Sequence, residues 1–321
     1  MKPECSYHTP VMADEVAHFL QPGPKKLFLD CTLGGGGHSE RLVEAGASVL
    51  ALDQDPDAVD YARQRLSECE DRIAFIHMNF RHYPDLLREV GLERELDGIL
   101  LDLGVSSWQI DTPERGFSFH RNGPLDMRMN TSCGQTAAEL LAATDEEELR
   151  RIFRSYGEEP QAGRVASAIV RHRRTAAIET TGQLASLVEQ VCGRRGPKHP
   201  ATRVFQALRI AVNDEMGALR DALEQAPKWL KPGGRLLVVT FHSLEDRMVK
   251  QFLHHQSKPT IDRPEWPAPR PNPDCHFKLV IRKALVPCEN ETQRNPRARS
   301  AKLRVAERLT HHEEASQKIA Q

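Results

Sequence analysis

The chemistry of this chain is most legible where carboxylates meet glycines. Asp30-Cys31-Thr32-Leu33-Gly34-Gly35-Gly36-Gly37-His38-Ser39 follows the apolar run Leu27-Phe28-Leu29 and precedes residues 40–45, whose composition is helical. Strand, glycine turn and helix is the arrangement with which α/β proteins bring main chain up to a nucleotide-like ligand. Glycine has no Cβ to hold such a ligand off, and it accepts positive φ. A second apolar run, Val49-Leu50-Ala51-Leu52, ends in Asp53. A carboxylate at the tip of a second parallel strand is placed to accept hydrogen bonds from both hydroxyls of a ribose.

The glycine spacing separates two ligand classes. A dinucleotide fingerprint reads G-x-G-x-x-G and delivers a pyrophosphate to a helix N-terminus. Counted from Gly34 the last glycine is replaced by Ser39, and counted from Gly35 by Glu40. Asp30 would also oppose a pyrophosphate, whereas it suits a cation such as the amino group of S-adenosylmethionine. That cofactor is therefore preferred over a nicotinamide, and the pairing with Asp53 argues against a merely structural turn.

The elements that must position these groups follow along the chain. Ile73-Ala74-Phe75-Ile76-His77 reads as a third strand running into Met78-Asn79-Phe80, where a ring and polar groups could receive an adenine; packing is the commoner use of such a ring. Gly98-Ile99-Leu100-Leu101 reads as a fourth strand and runs into Asp102-Leu103-Gly104-Val105-Ser106-Ser107-Trp108-Gln109. Near-continuous apolar runs fit parallel strands buried on both faces, which places Asp102 in a crevice at the carboxyl ends. Strand character is then lost until Arg235-Leu236-Leu237-Val238-Val239-Thr240-Phe241. Helices are expected near 136–142, 145–155, 161–174, 181–191 and 213–230, with Thr144-Asp145-Glu146-Glu147 as an N-terminal cap. A helix near 245–255, a Pro-rich loop through Pro273 and two last strands, at 277–281 and 302–306 with one antiparallel edge pairing, complete the chain. The expected organisation is a sheet domain in two parts, 1–110 and 213–321, interrupted by a mainly helical substrate-recognition insertion at 111–212.

The 321 residues exceed one average domain, and 39% hydrophobic content is enough for a packed core. No apolar run approaches membrane-spanning length and no signal-peptide core is evident, so no membrane association is expected. Seven cysteines without a C-x-x-C pair read as reduced thiols in a cytoplasm. A net charge of −1 excludes a generic polyanion binder, so contact with a nucleic acid must come from local patches. Residues 150–174 carry seven arginines against two glutamates. Residues 191–212 hold no acid but Arg194, Arg195, Lys198, Arg203 and Arg209, and residues 291–310 set six bases against two acids. Three such runs in a near-neutral chain point to phosphate contact.

Several long blocks, in one order, resemble a single family: the small-subunit (16S) ribosomal RNA (cytosine-N4)-methyltransferase H family, also called MraW. They are His8-Thr9-Pro10-Val11, the glycine motif, Leu100 to Ser107, Arg115-Gly116-Phe117-Ser118-Phe119 and Gly123-Pro124-Leu125-Asp126-Met127-Arg128-Met129. His199-Pro200-Ala201-Thr202-Arg203, Phe241-His242-Ser243-Leu244-Glu245-Asp246-Arg247, Asn295-Pro296-Arg297-Ala298-Arg299-Ser300 and the stretch from Leu303 to Arg308 continue the set. The resemblance implies a Rossmann-like class I S-adenosylmethionine-dependent fold with an inserted helical domain. It implies methyl transfer from that cofactor to the N4 amine of a decoding-site cytidine, in ribosomal RNA or the assembled small subunit. Cofactor contacts carry over to Gly36, Gly37, His38, Asp53, Phe80, Asp102 and Gln109. Trp108 stands where the family has proline after the paired serines. The resemblance leaves a homodimer open.

The chemistry itself is undemanding of side chains. Methylation at cytosine carbon five needs a cysteine nucleophile, and none lies at the fourth or fifth strand end. Methylation of an exocyclic amine needs the nitrogen held in line with the methyl and acceptors for its hydrogens. Many amino-methyltransferases supply these with a D/S/N-P-P-Y/F loop; here the place reads Asp102-Leu103-Gly104-Val105, so the local motif does not specify the amine. Asp102 and His242 are the catalytic candidates, Asp102 more as a cofactor contact and His242 either as an amine acceptor or as a structural histidine. Ser243, Asp126 and Arg128 rank lower, and Arg297, Arg299 and Arg203 are the RNA-contact candidates. The target base must leave its stack, and Phe117, Phe119 and Trp108 offer faces to receive it. No metal set is expected: His254-His255 and His311-His312 are adjacent pairs without partners at zinc-like spacing. The competing classes are a nicotinamide oxidoreductase, a catalytically silent ribosome-binding protein and a small-molecule methyltransferase.

Overall fold

The computed structural model describes residues 10–310 except 94, 195, 197 and 198. His8, Thr9, Arg195, Lys198 and the His311-His312 pair, all singled out above, lie outside the described residues. The chain divides into two compact units, one comprising residues up to Gly104 and from Ala218 onward, the other Val105–Gly217.

The first unit starts with α1 (Ala13–Leu20) and alternates β1 (Leu27–Asp30), α2 (Gly37–Glu44), β2 (Ser48–Asp53), α3 (Pro56–Arg65), β3 (Ile73–His77), α4 (Tyr83–Glu89) and β4 (Leu96–Asp102). The second unit holds α5 (Ser107–Asp111), α6 (Ala137–Ala143), α7 (Glu146–Ser155), α8 (Ala162–His172), α9 (Thr181–Cys192) and α10 (Ala201–Asn213). The chain then passes through α11 (Glu215–Trp229) to β5 (Leu230–Thr240), α12 (Ser243–Gln256), β6 (Phe277–Leu279), α13 (Glu289–Arg294) and β7 (Lys302–Arg308). A two-residue ribbon pairs Thr260–Ile261 with Arg270–Pro271 inside the Pro-rich loop.

Seven strands form one sheet in the order β3-β2-β1-β4-β5-β7-β6. The first five are parallel, and β7 runs antiparallel to both β5 and β6. This is the Rossmann-like α/β sheet expected from the sequence, except that the antiparallel strand sits one place in from the edge and makes two antiparallel pairings. Both faces are buried, as continuous apolar strands require. Alternate residues feed opposite layers: Phe28, Leu100, Leu237 and Val239 pack with α1 and α2, whereas Leu29, Ile99, Leu101, Leu236 and Val238 pack with α4, α11 and α12. The order reverses direction at β1 and β4, so their carboxyl ends open a crevice on the sheet edge that ligands use.

The second unit has its own core of Leu149, Phe153, Val165, Ile169, Leu184, Val188, Val204 and Leu208. Its helices start where capping residues stand: Thr136 and Thr180 form capping boxes with Glu139 and Gln183, and Asp145 caps α7. α10 has no counterpart among the helices expected from sequence. Its apolar stripe of Val204, Phe205, Ala207, Leu208 and Ala211 carries the helical period, interleaved with the basic residues Arg203 and Arg209. Asp214, in the left-handed conformation at φ 45°, ends α10 before α11 begins.

Candidate cofactor site at the strand ends

The carboxyl ends of β1, β2 and β4 bring together most of the residues that the sequence singled out. Gly34 and Gly36 adopt φ of +49° and +79°, and Gly36 precedes α2 as its N-cap. At Gly36 an added Cβ would lie 2.7 Å from Leu66, and at Gly37 it would lie 2.8 Å from the Pro10 ring. Those two glycines are therefore demanded by protein packing. Gly34 differs: nothing lies within 4 Å of where a Cβ would be, so its face is open to a ligand.

Asp53 ties the loop to β2. One carboxylate oxygen accepts the Gly34 N–H at 2.8 Å and the other the Asp55 N–H at 2.9 Å. Each oxygen keeps a second acceptor position, so a diol can be bound as well. Burial raises the Asp53 pKa to about 6, against the two N–H donors that favour the charge.

Asp30 turns out to serve the loop. It is fully buried, accepting from Ser39 Oγ at 2.8 Å and from Thr32 N–H at 3.1 Å. The fit to a ligand's ammonium inferred from sequence is thus not realised by this carboxylate: no surface of it is left to touch one. Asp102 is bound into the same corner, its N–H donating to Thr32 Oγ1 at 2.7 Å. His38, only 5% exposed, brings Nε2 to 3.3 Å from Asp102 Oδ2. Burial disfavours an imidazolium, yet the Asp102 and Asp30 carboxylates outweigh it and the His38 pKa is raised. The glycine loop therefore places the buried His38 ring under the influence of the Asp102 and Asp30 carboxylates. Cys31 is buried beside Asp30, and burial drives its thiol pKa far up, leaving it an inert filler.

Phe80 follows β3 in a short 3-10 turn, half-buried against the core, after Asn79, whose side chain donates to Gln54 at 2.6 Å. A ring and a polar edge thus stand next to the tip of β2, though packing accounts for part of the ring. Gln109 belongs to the other unit, where it closes a capping box on α5: its Oε1 accepts the Ser106 N–H and its own N–H donates to Ser106 Oγ. Trp108 occupies the first turn of α5, where no intrahelical bond uses the N–H, so proline and tryptophan fit alike.

His242 is engaged at home. It is the N-cap of α12, with Nδ1 accepting the Glu245 N–H at 3.4 Å and Nε2 lying 3.1 Å from Glu245 Oε1. A neutral ring accepting at Nδ1 carries its proton on Nε2 and has no acceptor left for an amine. Ser243 opens α12, and Asp126 and Arg128 form a two-bond ion pair within the second unit, which holds Asp126 below the usual carboxylate range against the cost of its burial.

The basic runs are thinner than their sequences imply. Lys302 and Arg304 both bind Asp246, Arg308 is buried on the carbonyls of Pro227 and His276, and Arg209 pairs with Glu215. Arg150 and Arg151 pair with Glu147 and Glu148, while Arg173 caps the carbonyls of Leu141 and Thr144. Arg297 and Arg299 flank the buried Ala298 on a 3-10 turn and are both exposed, and Arg203 is exposed on α10 in the other unit. No helix among the described residues is long and apolar enough to cross a membrane.

Comparison with known proteins agrees with this architecture. A protein of Heliobacterium modesticaldum named ribosomal RNA small subunit methyltransferase H is 45% identical over 309 residues, spanning 94% of this chain and 99% of that one. Its namesakes in Syntrophotalea carbinolica and an Anaeromyxobacter strain are 47% and 48% identical, over 96% and 94% of this chain and 100% and 98% of theirs. A solved rRNA methylase from Streptococcus thermophilus aligns at TM-score 0.41 and 12% identity over 93% of this chain and 94% of that one, too loosely to add to the argument. The family description that fits the chain covers residues 5–309. With the glycine loop, the acid-tipped strands and these relatives in agreement, the chain belongs to the MraW methylase family.

Proposed function

We propose that this protein methylates the RNA of the small ribosomal subunit with S-adenosylmethionine, at the exocyclic N4 amine of a decoding-site cytidine. The observation that carries the cofactor part is the corner where Gly34 lies open beside Asp53, with Asp102 and His38 paired at the neighbouring strand end. The base and its position rest on membership in the family and on the resemblance of the motif blocks.

The residues fit the cofactor group by group. Ionised Asp53 accepts the ribose hydroxyls, Gly34 lets the ligand lie against main chain, and Phe80 with Asn79 borders the adenine. Gly36 and Gly37 hold the loop in its shape, and Gln109 shapes the start of α5. S-adenosylmethionine supplies an electrophilic methyl on its sulfonium. The chain's own task is to hold the cytidine N4 in line, so that its lone pair forms the N–C bond as the S–C bond breaks. The proton then passes from N4 to water, and no dedicated base is needed. His242, occupied in capping, keeps the start of α12 in place. A covalent ring adduct is excluded by chemistry, since no cysteine stands at the end of β4 or β5 and buried Cys31 is protonated. The insertion recognises the RNA, with Arg203 on its surface and Arg297 and Arg299 on the sheet unit as phosphate contacts.

Calorimetric titration with S-adenosylhomocysteine and with NAD tests the cofactor. Binding of the first alone is expected; binding of NAD alone would overturn the assignment. Transfer of labelled methyl to unmodified small subunits, run beside free ribosomal RNA and small-molecule acceptors, tests the substrate class.

A further inference from the structure

The Pro-rich loop after α12 holds a tryptophan that the cores do not use. Six prolines stand between Pro259 and Pro273 inclusive, and their fixed φ stiffens the segment. Its base is clamped by Asn272, only 7% exposed, whose Nδ2 donates to the carbonyls of His255 and Lys258, each at 2.8 Å. The Asn272 N–H donates to the Pro259 carbonyl at 2.8 Å, next to the short ribbon pairing. Beyond this clamp residues 262–270 are exposed except for the half-buried Trp266. Its ring enters none of the three apolar cores among the described residues. It meets two guanidinium groups instead: Arg263 Cζ lies 5.0 Å and Arg270 Cζ 4.6 Å from its centroid. The surroundings decide what such a tip can recognise. From residue 262 to 276 Trp266 is the one large apolar side chain, so the apolar cluster at the centre of a protein–protein interface is missing. Asp262 and Glu265 match the two arginines in number, so the tip has no net positive field to collect phosphates. What it offers is planar surface, an indole with guanidinium planes, on which unstacked bases lie whatever their identity.

We propose that the Trp266 ribbon is a stacking platform for an unpaired base of the small-subunit RNA, at a nucleotide other than the one methylated. This rests on the RNA substrate proposed above and adds a remote point of grip on it. α12 begins after His242, beside the carboxyl end of β5, and the ribbon follows its other end; the 14 residues of α12 span about 20 Å. A contact so far from the strand ends holds the RNA and takes no part in methyl transfer. The prolines and the Asn272 clamp keep the ring presented before the RNA arrives, which lowers the entropy lost on binding.

The test measures binding and turnover of the full chain on unmodified small ribosomal subunits, and binding to protein-free small-subunit RNA. Trp266→Leu keeps an apolar side chain but removes the plane, and it should weaken binding to both by about five- to a hundredfold, the range for one lost stack. The loss should appear in KM with kcat unchanged. The slope of log affinity against log salt should stay that of the wild type, because no phosphate contact is removed. Trp266→Phe should recover most of the affinity, and S-adenosylhomocysteine affinity and Tm should be unchanged in both variants. Wild-type affinity in Trp266→Leu, or a loss accompanied by a shallower salt slope, would overturn the proposal. Loss on assembled subunits alone would assign the ring to a ribosomal protein and overturn it equally. Wild type that binds neither subunits nor RNA would instead remove the RNA reading on which the proposal rests. Should Trp266→Leu fail to fold, fluorine-19 spectra of the fluorotryptophan-labelled wild type decide. Of its three tryptophan resonances, the one absent from Trp266→Phe must shift when protein-free RNA binds, and a stationary resonance would overturn the assignment.

Discussion

Asp53 should impose an acid limb on cofactor affinity, and its size follows from the carboxyl's surroundings. Burial places its pKa at about 6 although Gly34 and Asp55 donate to it. Ribose hydroxyls need the ionised form to accept both hydrogen bonds, so binding should weaken by the factor 1 + 10^(pKa − pH). That factor is close to one at pH 8 and about eleven at pH 5, roughly 1.4 kcal/mol. Calorimetry with S-adenosylhomocysteine between pH 5 and 8 measures it directly, and buffers of different ionisation enthalpy should reveal nearly one proton released per ligand at pH 5. Asp53→Asn removes the titrating group, so its affinity should be weaker at pH 8 and flat across this acid range. A limb that persists in Asp53→Asn would refute the reasoning and shift the titration to Asp30, whose carboxyl is also raised by burial. Stability should run the other way. The folded pKa lies above that of the unfolded chain, so ionised Asp53 costs stability at neutral pH and the cost disappears as pH falls from about 6 towards 4. Wild-type stability should therefore rise as pH falls from about 6 towards 4, a rise that Asp53→Asn, which has no titrating carboxyl, should lack.

Gly34→Ala should cost about 1 kcal/mol of stability for its positive φ but reduce cofactor affinity far more, since its Cβ enters the open face; a thermal melt beside calorimetry separates the two. Gly36→Ala should mainly destabilise, by about 1–3 kcal/mol in denaturant unfolding, because its Cβ meets Leu66. His242→Asn preserves an N-cap and should retain turnover within a few-fold, whereas His242→Ala should lose about 0.5–2 kcal/mol of stability; a folded His242→Asn with turnover down more than about a hundredfold would restore a catalytic role. Reversing Arg297 and Arg299 to glutamate should raise the KM for the RNA substrate several-fold and leave S-adenosylhomocysteine affinity unchanged; equal loss of both would remove the phosphate-contact assignment.

The parts of this fold that were legible in the sequence are those where one residue type answers one local demand. Leu27-Phe28-Leu29 and Ile99-Leu100-Leu101 had to be buried on both faces, the glycine loop had to accept positive φ, and Asp145 had to cap a helix. Asp53 and Asp102 were legible as strand-end carboxylates for the same reason, because each closes an apolar run. Long-range pairing was the obscure part. Asp30 reads like Asp53 in the sequence, and only the Ser39 and Thr32 contacts show that it holds the loop rather than meeting a ligand. The charge runs mislead likewise, because Asp246 lies 56 and 58 positions before the Lys302 and Arg304 it neutralises. The capping contact of His242 is hidden in the sequence because it depends on α12 starting at Ser243. The place of β7 inside the sheet rather than at its edge depends on where β6 returns, which no local pattern encodes.

The most direct test of the central claim is product identification. Unmodified small ribosomal subunits are incubated with the protein and methyl-labelled S-adenosylmethionine, the RNA is digested, and labelled nucleosides are identified by mass spectrometry. The account predicts labelled N4-methylcytidine from the wild type and its loss in Asp53→Ala. Label in another nucleoside, or N4-methylcytidine undiminished in Asp53→Ala, would contradict it.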